Sequence, residues 1–146
     1  MVRRNARRAN LPTAADFEAL GLVIMRREKS RACDKTKMRR FKAFFGAEPK
    51  RLAQMWRHLH LSGWLKFAGP RGPQPEHWLW TFLWMKCNDV EEVGASIVGS
   101  DEKTYRDWVW FYLEGMAGLA DKFVSNVGAL SHRRVAVGGC RSHFPG

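Results

Sequence analysis

The chain has 146 residues, 45% of them hydrophobic and seven of them Trp, which gives one domain enough apolar mass for a core without metal or disulfide support. Its net charge of +11 sits at the two ends: residues 1–51 hold 15 Lys/Arg against 5 Asp/Glu, residues 52–121 hold 6 against 9, and residues 122–146 hold 4 against none. No apolar run approaches the roughly 20 residues of a membrane span, no apolar segment follows the early arginines as a secretory signal requires, and three scattered cysteines suit free thiols in a reducing compartment.

In chain order, MVRRNARRANLP is a basic leader expected to be disordered. TAADFEALGLVIMRREKSR predicts a helix capped by Thr13, with Phe17, Leu20 and Ile24 at helical spacing and Gly21 weakening it. DKTKMRRFKAFF predicts a second helix, with Met38, Phe41 and Phe45 on one side and a stop at Gly46. AEPKRLAQMWRHLH follows, opened by Pro49 and lined by Leu52, Met55, Trp56 and Leu59. The stretch FAGPRGPQP breaks the chain, and Pro75 opens EHWLWTFLWMKCN, which is apolar almost all round and therefore the expected buried centre.

Next, DVEEVGASIV predicts a short helix, a turn at Gly99-Ser100, and a long helix from Asp101 to Gly118. Small Ala95, turn glycine Gly99, and apolar Tyr105 and Trp108 stand where a helix-turn-helix needs them, with Val93 and Val98 filling the other inward positions. Asp101 is the expected N-cap. Tyr105, Trp108, Val109 and Tyr112 then face inward, leaving Glu102, Lys103, Thr104, Arg106, Asp107 and Trp110 outward. The start of a recognition helix is the part that meets base edges, and Lys103, Thr104 and Arg106 are the residue types that suit guanine or phosphate there. The acids Glu91, Glu92, Asp101, Glu102 and Asp107 crowd these two cations. Phosphate contacts therefore fall to the basic stretch 26–42, including Arg39, Arg40 and Lys42.

The expected fold class is all-α: a small helical bundle containing a helix-turn-helix over 34–127, with a basic, partly disordered arm at 1–33 and a disordered tail at 128–146. Cys140, His143 and His132 invite a zinc reading, but no fourth ligand lies near in sequence, and no phosphate loop or Cys-His pairing context is present. No cofactor, no metal and no membrane partner are expected.

The pieces FKAFFGAEPKRLAQMW, PEHWLWTFLWMKCND and VGSDEKTYRDWVWFYLEGMAGL, in this order, resemble the region before the catalytic domain in PIF/Harbinger-type transposase-derived proteins, in the form found in diatoms and related algae. The resemblance spans about Phe41 to Val127. It implies an all-helical segment whose helix-turn-helix contacts double-stranded DNA, and hence a nuclear location. In the family an RNase H-like nuclease with three metal-holding carboxylates follows. Here no Asp or Glu follows Asp121, so no catalytic residue carries over and the expectation is a non-enzymatic, DNA-binding transposase remnant. The rival expectations are a protein-interaction module presenting Trp56, Trp64 and Trp110, or a transposon-derived fragment without a selected function.

Overall fold

The computed structural model describes residues 11–88 and 90–135, with side chains described as far as Asp121. Among these residues the secondary structure is helical throughout: α1 (Ala14–Ile24), α2 (Asp34–Phe45), α3 (Pro49–Ser62), a 3-10 turn (Trp64–Ala68), α4 (Pro75–Cys87), α5 (Glu91–Val98) and α6 (Glu102–Val135). The fold is all-α.

α1 starts where a reciprocal cap satisfies its first amides. The Asp16 N–H donates to the Thr13 hydroxyl at 3.3 Å, and the Thr13 N–H donates to the Asp16 carboxylate at 2.8 Å. The helix ends at Ile24 rather than running on toward Arg31, as its composition had suggested. After Ile24 the next inward positions fall on Arg27 and Glu28, so extension would bury no apolar surface, and Arg26 turns the chain at φ 56°. α1 packs on α2, α3 and α4, with Phe17 fully buried edge-on to Trp56 at 6.0 Å. The packed helices thus include residues that the sequence division above places in the N-terminal arm. At Gly21 the absent side chain is what admits the Phe41 ring, so this glycine is a packing requirement of α1 against α2.

α4 is the centre. Six consecutive residues, Trp78 to Leu83, are buried, because α4 is covered by α1, α2, α5 and α6. Trp78 lies edge-on to Trp56 and Phe82, and its indole N–H donates to the Leu52 carbonyl at 3.3 Å, which satisfies a donor that burial would otherwise leave costly. Trp56 is therefore core rather than a presented anchor, at 3% exposure.

α6 lies along α4 through Tyr105, Val109 and Tyr112, all buried, followed by half-buried Met116 and Leu119. The Tyr112 hydroxyl donates to the Gln74 carbonyl at 3.1 Å, just before α4 begins. The helical backbone does not stop near Gly118: it continues to Val135, past the expected tail boundary at 128. Residues 136–146 lie outside the described residues.

Two glycines make a matched test of this packing. Gly21→Ala is expected to lower unfolding stability by about 1–2 kcal/mol despite alanine's better helix propensity, because the Phe41 ring occupies the new methyl's space. Gly118→Ala meets no atom within 4 Å among the described residues and is expected to raise it by about 0.5–1 kcal/mol, both read by urea denaturation.

Candidate nucleic-acid interface

The turn between α5 and α6 is built by close approach. A side chain at Gly94 would run into the phenol of Tyr105, whose oxygen lies 2.5 Å from the position a Cβ would take. Gly94 and Ala95 are both buried, so the short α5 crosses α6 with almost no spacer. Val93 is not inward as its spacing suggested. It is 44% exposed, because Gly94 and Ala95 take the contact with Tyr105 and α6. Val98 is half-buried against the core.

Gly99 then closes α5 at φ 74°, the left-handed conformation that glycine takes without a steric penalty. The Ser100 N–H returns to the Ala95 carbonyl at 2.9 Å. Asp101 caps α6, its carboxylate accepting the Thr104 N–H at 2.9 Å. Bonds from the Thr104 backbone and side chain hold the Asp101 carboxyl below its ordinary value.

The outward face of this turn holds the predicted residues, but not as free cations. Arg106 pairs with Glu91 at 2.8 Å across the α5–α6 gap. Lys103, largely exposed, stands 4.0 Å from Asp107 one turn along. Thr104 is half-buried and engaged with Asp101. Nothing in the spacing of α6 pointed to the Arg106–Glu91 pair, which joins residues 15 apart through the fold. Trp110 is outward as expected, 49% exposed, with its ring 5.9 Å from that of half-buried Trp84.

The second group of predicted residues sits on α2. Arg39 and Arg40 are exposed, and neither has an ion-pair partner among the described residues. Lys42 lies 4.0 Å from Glu48. Arg40 also borders a surface depression of about 350 Å³ with Arg27, Met25 and Phe44. α2 packs on α1 and α4, whereas the turn before α6 is held by α5 and α4. The two predicted groups therefore stand on different elements and share no hydrogen bond or ion pair among the described residues.

Beneath the turn, His77 joins α4 to α6. Its ring stacks on Trp108 with centroids 4.4 Å apart and planes 23° from parallel, and Trp80 tilts against it at the same distance. Trp108 is half-buried rather than deep, with one face covered by His77. The His77 Nδ1 and Trp80 Nε1 atoms are both buried without a hydrogen-bond partner among the described residues. Burial pushes the His77 imidazolium down to about 4.

At exposed Cys33, just before α2, hydrogen bonds from the Thr36 side chain and backbone hold the thiol below its ordinary value. Among the described residues no group of three or more His, Cys, Asp or Glu is placed to hold a metal, and no helix is long and apolar enough to cross a membrane. Cys140 and His143, and the side chain of His132, lie outside the described set. Compared with family models, curated proteins and solved structures, the chain matches none.

The His77 clamp has a testable pH dependence. Its folded value is below its unfolded value of 6.5, so the unfolded chain binds more protons between about 6.5 and 4. Its contribution is complete above 6.5 and is lost as pH falls toward 4. His77→Phe, which keeps a ring against Trp108, is expected to flatten the acid side of the stability curve over that window, measured by thermal melting at stepped pH.

Proposed function

We propose that this chain is a double-stranded-DNA-binding helical module. The reading rests on the basic segment 26–42, which has nine Lys/Arg against two acids, with Arg39 and Arg40 exposed and free of acidic partners among the described residues. These residues hold phosphate. The α5–α6 turn is the second element of the proposal: a helix-turn-helix whose Lys103, Thr104 and Arg106 lie at the start of α6, the position from which a recognition helix meets a groove. Because Arg106 is engaged with Glu91, DNA contact there requires phosphate or a base edge to replace a carboxylate. Affinity then comes mainly from α2, and any sequence preference from α6. The resemblance of VGSDEKTYRDWVWFYLEGMAGL and its companion segments to PIF/Harbinger-type proteins supports descent from a transposase and a nuclear location.

A second reading is favoured by Trp110, whose half-exposed ring lies beside Trp84, with Asp107 nearly one turn earlier on α6. An exposed aromatic ring suits a protein partner better than phosphate. Trp110→Ala separates the two, since it removes such an anchor and leaves the α2 cations in place.

The proposal is tested by fluorescence anisotropy on random-sequence duplex across a salt titration. With about five phosphates neutralised, log K is expected to fall against log salt with a slope of about −4.5. Arg39→Ala/Arg40→Ala is expected to reduce that slope by about 2 units and weaken binding on all sequences. Lys103→Ala/Arg106→Ala is expected to change sequence preference more than non-specific affinity. A slope unaffected by either double variant overturns the proposal.

A further inference from the structure

Between the end of α1 and the second half of α2 lies a surface depression of about 350 Å³, lined by Met25, Arg27, Arg40, Ala43 and Phe44. That volume is at the lower end of sites that hold small molecules. Arg40, Ala43 and Phe44 stand three and four residues apart and so share one face of α2. Met25 and Arg27 come from the turn that follows α1. The duplex reading uses Arg40 for phosphate and leaves the apolar part of the lining without a task.

Local structure holds this lining in place. Arg26 takes a left-handed backbone at φ 56°, a conformation that glycine adopts at lower cost. The turn sends the Arg27 N–H back to the Leu22 carbonyl at 2.8 Å and brings Arg27 to the depression from the α1 side. On the α2 side Phe44 is half-buried, its ring 4.9 Å from that of buried Phe45 and steeply tilted to it. The core therefore sets the orientation of the Phe44 ring, and exposed Ala43 adds little bulk beside it.

Charge and surface together select the occupant. The lining holds two guanidinium groups and no acid, and neither Arg27 nor Arg40 has an ion-pair partner among the described residues. The rest of the lining is apolar and includes a ring and a thioether. A duplex turns its phosphates outward but keeps its base faces stacked inside, so it can satisfy the arginines and not the floor. An unpaired nucleotide presents both a phosphate and a free base face. The nine Lys/Arg against two acids in 26–42 favour a polymer over a free nucleotide as its source. We propose that this depression holds one unpaired nucleotide of a single-stranded extension at a DNA end. Its base lies on Phe44 and Met25, and its phosphate is held by Arg27 and Arg40. The inference rests on the DNA-binding reading above and adds to it a preference for the form of the DNA.

The test titrates the full chain against three fluorescein-labelled DNAs at fixed salt: a blunt duplex, the same duplex with an overhang of about four nucleotides, and that overhang made abasic. The overhang is expected to tighten binding by at least about fivefold over the blunt duplex. The abasic overhang keeps the phosphates without the base faces and is expected to lose that gain. Phe44→Leu keeps apolar volume against Phe45 and removes the planar face; Ala43→Glu sets a carboxylate in the lining at an exposed position. Each is expected to cut the gain to less than about twofold, with melting temperature preserved. Ala43→Glu keeps the test decisive if Phe44→Leu perturbs the fold. Equal affinity for blunt and overhang duplexes, an abasic overhang that keeps the gain, or a gain that survives in both variants overturns the proposal and leaves the duplex reading standing. Binding of the overhang DNA without the blunt duplex supports the proposal and overturns the duplex reading, and binding of neither overturns both.

Discussion

The structure depends on how α4 meets α6. Trp78, Trp80 and His77 on one helix interleave with Tyr105, Trp108 and Tyr112 on the other, with ring centroids from 4.4 to 5.9 Å apart. Aromatic surfaces alone would permit sliding. The polar end of Tyr112 restricts it, because its hydroxyl is tied to the Gln74 carbonyl just before α4, while the Trp78 indole fixes α4 to the Leu52 carbonyl of α3. A slip of α6 by one position would leave the Tyr112 donor buried and unpaired, a larger penalty than the packing change itself. The remaining helices are arranged around this pairing, since α1, α2 and α5 all touch α4.

Much of this was legible before any coordinates. An apolar run flanked by Pro75 and Asn88 reads as a central helix because only a helix covered on most sides tolerates such a sequence. Gly46 and Gly99 stand at helix ends, and Thr13 and Asp101 at helix starts, as their backbone and side-chain chemistry requires. What could not be read was pairing across the fold. The burial of Trp56 depends on Phe17, Trp78 and Tyr112, which arrive from three other helices. Val93 has the right spacing for an inward residue, yet its neighbour Gly94 wins the contact because Tyr105 needs a site without a side chain. The Arg106–Glu91 pair is of the same kind: both charges are visible in the sequence, their meeting is not.

Charge is divided as sharply as apolar surface. The α5–α6 turn sets five acids around two cations, while α3 has no acid at all. Exposed ion pairs such as Lys103–Asp107 contribute little to stability and are screened by salt. Their effect is on which partners approach. The turn, where acids outnumber cations, and α2 and α3, where cations outnumber acids, therefore present fields of opposite sign.

The length of α6 has a geometric consequence. Its 34 residues correspond to roughly 50 Å of helical backbone, and the buried residues Tyr105, Val109 and Tyr112 all fall in its first third. Because the helix runs without a break, the rotational phase set by those three side chains is carried along the backbone to Val135, so the direction each later residue faces is fixed by its distance in sequence from the contact with α4.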